Sequence, residues 1–276
     1  MIIGIDIGGS TTKIVGIRGD SLIEPLSVEA NDPIASASGA LGKFLTLNKI
    51  PMKEVDLIRM TGVGASFIQK EILGIPVEKA EEFIALGHGG LYLSGLKKAI
   101  IVSMGTGTAL VKAHGSCISH IGGTGVGGGT IMGLSKAMLN LSDFDNIIQL
   151  AESGDLSQVD LSIGDISQAD IGKLPPTLTA SNFGKMSDKA TRNDMLKGIL
   201  NLVFQTIGMM AVLAAKVEKD FDIVVSGNLV KVPQAQKTFK ELGKLYGVKF
   251  HTPKHAQYCT AIGAAIGYEA AASNSR

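Results

Sequence analysis

Short apolar runs alternate with amphipathic stretches along the chain. Residues 2–7 and 13–17 are β-rich runs joined by Gly8-Gly9-Ser10-Thr11-Thr12, which predicts a hairpin with a polar, glycine-bearing tip. Asp32-Pro33 predicts a helix running to about residue 47, with Asp32 as its cap and Pro33 in its first turn. Residues 57–60 read as a buried strand leading into Thr61-Gly62-Val63-Gly64, with a helix expected from near Ala65. A helix-like stretch after Pro76 contains Glu81, Glu82 and Phe83 and runs toward Gly87-His88-Gly89-Gly90.

The continuous apolar run 99–104 has the character of a fully buried strand. It ends in Gly105-Thr106-Gly107-Thr108 before a second strand at 109–113, so strand, glycine-bearing turn and strand occur twice, as in a duplicated α/β unit. Residues 121–129 read as a glycine-rich loop entering a helical pattern over 130–139, and the polar region 152–188 as loops and short helices. Apolar positions over 193–216 predict a long helix with a wide apolar face, able to pack within a lobe or against a second subunit. Strands are expected at 221–225, ending in Ser226-Gly227-Asn228, and at 248–251. The small residues of 260–272 predict a helix that approaches another backbone closely.

At 276 residues the chain is long enough for two lobes with a cleft between them. Its formal charge of +1 gives no ground for a nucleic-acid or membrane partner recruited by bulk charge. Cys117 and Cys259 are far apart and form no CxxC or Cys/His cluster, so neither a disulfide framework nor a zinc or iron–sulfur site is implied. The opening residues lack the features of a signal peptide, and no run of about 18 uninterrupted apolar residues marks a membrane span. A cytoplasmic location is the expectation. The 35 glycines are clustered, and such clusters mark places where the backbone turns tightly or comes close to something else.

The clusters coincide with candidate chemistry. A carboxylate at the end of a buried strand, followed by Gly-Gly-Ser-Thr-Thr-Lys, supplies what a Mg²⁺–nucleotide complex requires. Asp6 can bind the metal through water, the amides from Gly8 and Gly9 onward and the hydroxyls of Ser10, Thr11 and Thr12 can reach phosphate oxygens, and Lys13 adds positive charge. The plainer reading of Asp6 is a turn carboxylate bonded to its own loop. Gly105, Thr106, Gly107 and Thr108 place further N–H and hydroxyl donors at a strand end, although a tight turn alone also needs glycine. Two such loops facing each other would clamp a polyphosphate. Gly127-Gly128-Gly129 before a helix suits an anion on a helix N-terminus. A GxxxxGK[ST] loop is absent, and the 125–129 glycines follow no convincing parallel βαβ opening with an acidic residue about 20 positions later, which disfavours a Rossmann site.

Six segments, taken together, resemble one family. Ile5-Asp6-Ile7-Gly8-Gly9-Ser10, Glu82-Phe83, Met104-Gly105-Thr106-Gly107-Thr108, Gly122 to Gly129, Leu178-Thr179-Ala180-Ser181-Asn182-Phe183-Gly184 and Ala261-Ile262-Gly263-Ala264 are similar, in order and spacing, to type II pantothenate kinases. These lie within the wider acetate kinase, sugar kinase, Hsp70 and actin superfamily. The resemblance covers nearly the whole chain and implies a two-lobed, actin-like α/β ATPase fold built from duplicated ribonuclease H-like units, with the nucleotide cleft between lobes. It implies an N-terminal lobe over 1–95, joined by a C-terminal helix over 260–276, and a C-terminal lobe over 96–259.

The resemblance also implies an activity: ATP- and Mg²⁺-dependent phosphorylation of the terminal hydroxyl of pantothenate, the first step toward coenzyme A. Glu82 would then be the general base, with Glu81 the alternative if the register shifts by one. The nucleotide would rest on Gly127, Gly128, Gly129, Thr130, Ile131 and Met132, with Phe144 against the adenine and Gly227 and Asn228 near the adenosine. Glu82, Ser103 and His120 would face the acceptor. His120 stands where the family usually has arginine, and a neutral imidazole offers one donor and one acceptor instead of a charged fork. That departure opens the alternative of pantetheine or an amino sugar as acceptor. Coenzyme A or an acyl-CoA as a ligand and a homodimer are further implications. Readings of another class are an ATPase activator like those of 2-hydroxyacyl-CoA dehydratases, whose bridging-cysteine pattern is not matched here, and a nucleotide-binding protein without catalysis.

Overall fold

The structure, a computed structural model, describes residues 1–267 apart from 20, 30, 31, 170 and 173. The opening hairpin forms as the alternation requires: β1 (Ile2–Ile7) pairs antiparallel with β2 (Thr11–Arg18), and β2 with β3 (Ser21–Glu29). α1 (Pro33–Leu47) begins where Asp32 accepts the Ala35 N–H at 2.7 Å and Pro33 occupies a position whose N–H needs no partner. β4 (Leu57–Thr61) lies parallel to β1, and β5 (Glu71–Ile72) and β6 (Ile75–Lys79) complete a six-stranded sheet in the order β3-β2-β1-β4-β6-β5. The helix expected from Ala65 is instead a 3-10 turn, Val63–Phe67, followed by the β5–β6 hairpin. Ile3, Ile5, Ile7 and Ile14 point from one face of this sheet onto Phe44 of α1. Truncating fully buried Phe44 to alanine would cost about 3–5 kcal/mol.

α2 (Glu82–Ser94) leads into the second half. β7 (Lys98–Met104), β8 (Thr108–His114) and β9 (Cys117–Thr124) form an antiparallel meander. β9 covers the start of the segment read from sequence as loop; glycines at 122 and 123 conceal it. α3 (Gly128–Leu139), α4 (Phe144–Glu152), β10 (Leu161–Ser162), α5 (Ile163–Ile166) and β11 (Thr179–Ser181) follow. α6 (Arg192–Glu218), β12 (Asp222–Ser226), α7 (Pro233–Tyr246), β13 (Lys249–His251) and α8 (Cys259–Ile266) complete the described chain. The second sheet runs β13-β12-β7-β8-β9. In both sheets the leading strand has an antiparallel meander on one side and parallel strands on the other.

α6 is long and apolar enough to cross a membrane by length and composition, but 56% of its most apolar window is buried inside the fold. Leu196, Ile199, Val203, Phe204 and Ile207 form the centre of the second core.

Chain order and packing part company at the junction. α2 falls within the stretch expected to form the first lobe, yet Leu86 packs with Ala99, Ile101 and Val111 of the second sheet. α8 crosses the other way, its Ala261 and Ala265 packing with Val15 of the first sheet. The two helices touch backbone to backbone, because a Cβ at Gly263 would stand 1.7 Å from the Ala85 carbonyl oxygen, and one at Gly89 2.0 Å from that of Cys259. Only glycine permits this crossing. The expected helical residues 268–276 lie outside the described residues.

Candidate active site

The first turn sets the site's chemical face. Asp6 and Lys13 are register partners across β1 and β2, so both side chains stand on the same face, Lys13 Nζ 4.0 Å from Asp6 Oδ2 and both largely covered. Thr61 is the register partner of Asp6 on its other side. Its hydroxyl is buried and bonded to nothing among the described residues. Burial raises the Asp6 pKa, with Lys13 pulling it back. Gly62 follows with φ +86°, and a Cβ there would lie 2.6 Å from Asp6 Oδ1, so this turn makes room for the carboxylate.

Alternation removes one expected donor. Thr12 pairs with Ile7 and faces the α1 core, fully buried, its hydroxyl unpartnered and turned from Asp6. The period of two in the strand makes Thr11 and Lys13 cleft residues and Thr12 a core residue.

The second turn meets the first. A Cβ built on Gly9 would stand 4.0 Å from Thr106 Oγ1, and Asn228 Nδ2 donates to Thr11 Oγ1 at 3.3 Å. The two halves of the chain thus close on each other at these turns. Gly128 and Gly129, expected to offer free amides, instead donate their N–H groups to the Gly105 and Thr106 carbonyls, each at 2.9 Å, and the Gly127 N–H donates to Thr130 Oγ1 at 3.1 Å. The start of α3 therefore buttresses the second turn and presents a bare glycine surface. A Cβ at Gly127 would lie 2.6 Å from the Thr106 oxygen. Ile131 is buried, Met132 and Phe144 pack against the same core, and Gly227 and Asn228 follow β12.

The two acidic residues at the start of α2 separate cleanly. Glu81 is the cap: its carboxylate accepts the Phe83 and Ile84 N–H groups at 3.2 and 2.7 Å. Glu82 is left open to solvent, and its pKa is raised by burial on its protein side, then by Asp6 and Glu81, with Lys13 opposing. Glu82 is thus near enough to Asp6 and Lys13 for their charges to reach it.

His120 lies in β9 opposite Val111, past an irregularity at Leu110/Val111 that leaves Ile121 without a ladder partner. The bulge puts His120 on the α2 face, where its ring stacks on Phe83 with centroids 4.1 Å apart and planes 11° apart. Ser103 pairs with Ala109 and Ser226 near the turn end of the second sheet. His88 is buried in α2 and lines a cavity of about 70 Å³ with Arg59, Glu78 and Gly263. Cys259 is buried, its thiol pushed up to about 12 by desolvation, while Cys117 is exposed. No group of three or more His, Cys, Asp or Glu residues able to hold a metal occurs among the described residues. Thr61 and the Phe83–His120 stack were not marked by sequence spacing; the strand pairing and the bulge create them.

A duplicated α/β chain with a glycine-turn cleft between its halves is an actin-like fold, and solved structures agree. The chain is similar to the activator of 2-hydroxyisocaproyl-CoA dehydratase from Clostridium difficile with bound ADPNP (TM-score 0.66, 13% identity, 99% of this chain and 96% of that one). It is likewise similar to ROK hexokinase from Thermus thermophilus (TM-score 0.58, 13% identity, 96% of this chain and 97% of that one). Residues 96–267 match the family described as Fumble, and the chain belongs to that family. Among curated relatives it is 29% identical over 244 residues to the type II pantothenate kinase of Bacillus cereus (strain G9842), covering 82% of this chain and 83% of the relative. It is 27% identical over 276 residues to that of Staphylococcus aureus (strain USA300), covering 96% and 98%.

Proposed function

We propose that this protein transfers the γ-phosphoryl group of ATP to the terminal hydroxyl of pantothenate, the first step toward coenzyme A. The observation that carries the reading is the approach of Gly9 to Thr106, two donor-bearing turns from separate halves of the chain at the face that holds Asp6 and Lys13. The relatives' activity names the acceptor.

Asp6, Thr61 and the hydroxyls of Ser10 and Thr11 make an oxygen-only donor set, which fits a hard cation. Asp6 would hold Mg²⁺, most simply through water, and the ion supplies charge neutralisation at the phosphates. Gly9, Ser10 and Thr11 of the first turn, with Thr106 and Gly107 of the second, hold phosphate oxygens, and Lys13 adds a fixed cation; the N–H groups of Gly8 and Gly105, expected to do the same, instead close their own turns on the Thr11 and Gly107 carbonyls. Gly127, Gly128, Gly129, Thr130 and Met132 form the floor beneath the nucleotide, with Phe144 toward the adenine and Gly227-Asn228 toward the ribose; Ile131, expected to touch the nucleotide, is fully buried in the second core and supports that floor from below. Glu82 takes the acceptor's hydroxyl proton, and its raised pKa brings it nearer the proton it must accept. The two amide bonds that Glu81 accepts favour Glu82 over it in that role. Ser103 and His120 orient the acceptor, and closure of the lobes keeps water from the phosphoryl group.

A second reading rests on His120, whose ring on Phe83 beside Glu82 lacks a guanidinium's permanent charge. A neutral acceptor such as pantetheine, or an amino sugar, then becomes the substrate. A homodimer through the outer face of α6, where Leu213 and Val217 are exposed, a cytoplasmic location and binding of coenzyme A or an acyl-CoA complete the proposal. The test is a coupled ADP-release assay with MgATP across pantothenate, pantetheine and a sugar panel. Pantothenate-dependent release is expected. Release with pantetheine alone moves the acceptor, and ATP binding with no acceptor-dependent release refutes the kinase reading.

A further inference from the structure

Buried hydroxyls without partners are costly, so each one asks for an explanation. Thr12 and Thr61 lie in the same sheet, both buried and both unpartnered. They sit on opposite faces. Thr12 stands with Ile5, Ile7 and Ile14 over α1, where nothing polar is to be served. Thr61 stands on the cleft face in one strand row with Asp6 and Lys13. The next residue, Gly62, lacks the Cβ that would lie 2.6 Å from Asp6 Oδ1. The row from β4 to β2 therefore reads hydroxyl, carboxylate, ammonium, and only the hydroxyl has no partner.

We propose that Thr61 is a positioning residue for the metal–phosphate end of the cleft, its hydroxyl giving a hydrogen bond to the water through which Asp6 holds the nucleotide's metal. This rests on the kinase reading above. A threonine serves better than serine or valine here for distinct reasons: its methyl fills the strand surface, and its hydroxyl alone can bond to water. When the metal–nucleotide complex is bound, the orphaned oxygen gains its partner. Folding without that complex bears the cost of burying it.

The test compares Thr61→Val, which keeps shape and removes the hydroxyl, with Thr61→Ser, which does the reverse. Mn²⁺ binding in the presence of ADP is read by electron paramagnetic resonance, metal-free ADP binding by calorimetry, and stability by thermal unfolding. Thr61→Val is expected to melt at or above the parent temperature and to bind Mn²⁺ with ADP about ten-fold more weakly, with metal-free ADP affinity unchanged. Thr61→Ser is expected to bind Mn²⁺ within about two-fold of the parent, even with its unfolding temperature lowered by the missing methyl. Parent-like Mn²⁺ binding in Thr61→Val, or equal weakening in both variants, overturns the assignment. Absence of ADP-dependent Mn²⁺ binding in the unsubstituted protein overturns the site reading itself and Thr61's role with it.

Discussion

In the first hairpin the second row from the turn carries Asp6 opposite Lys13; in the second hairpin the corresponding row carries Ser103 opposite Ala109. The tips differ as well. Gly9 and Ser10 are exposed and their N–H groups donate to no described residue, whereas the carbonyls of Gly105 and Thr106 are taken by the start of α3. The same strand frame therefore holds ionisable chemistry in one half and a braced, neutral surface in the other. A duplicated fold can keep its topology while its copies divide the work: one carries the charged pair, the other a braced turn that brings the Thr106 hydroxyl against the first.

The largest effect expected from this division is at Glu82. Glu82→Gln should lower kcat by about 10²–10⁴-fold with nucleotide affinity nearly intact, as measured by steady-state kinetics and calorimetry. Because the Glu82 pKa is raised, kcat/KM should fall as pH drops through a limb above the ordinary carboxylate range, and that limb should vanish in Glu82→Gln. Unchanged turnover would remove Glu82 from the base role.

Making the first row resemble the second is the next test. Asp6→Asn should reduce Mg²⁺-dependent turnover by about 10²-fold or more, a loss larger than any loss of fold stability. A normal Mg²⁺ titration would reject the assignment. At the crossing that joins the halves, Gly263→Ala forces a Cβ against the Ala85 carbonyl and should cost about 2–4 kcal/mol in chemical denaturation. The smallest effect lies on the opposite face of the first sheet. Thr12→Val removes a buried, unpartnered hydroxyl and should raise stability by up to about 1 kcal/mol. A marked loss would mean that the hydroxyl has a partner in solution.

Much of the frame was legible because it rests on local rules. Asp32-Pro33 announces α1, the apolar run at 99–104 announces β7, and the stripe from Met195 to Leu213 announces α6. β3 and β9 were not, since Pro25 interrupts one and the glycines at 122 and 123 dilute the other. α7 lies in a polar stretch whose periodicity is carried by few buried apolar positions, Ala235, Phe239 and Leu242, and α4 is only nine residues long, too short for its apolar stripe to stand out beside the polar region that follows.

At the site, Asp6, Lys13 and the two turns were readable from strand ends and glycine placement. What sequence could not supply is orientation. Thr12 turns inward by strand alternation, Glu81 is consumed as a cap, the Gly128 and Gly129 amides are spent on the neighbouring turn, and His120 reaches Phe83 only through a bulge. Each of these depends on a partner distant in sequence or on a register one residue either way.

The central claim, that both turns close on one triphosphate, is tested most directly by a crystal structure with Mg²⁺, a non-hydrolysable ATP analogue and pantothenate. The account predicts the triphosphate between residues 8–13 and 105–108, the metal beside Asp6 and the acceptor hydroxyl facing Glu82. A triphosphate bound by one turn alone, or an acceptor hydroxyl remote from Glu82, would contradict it.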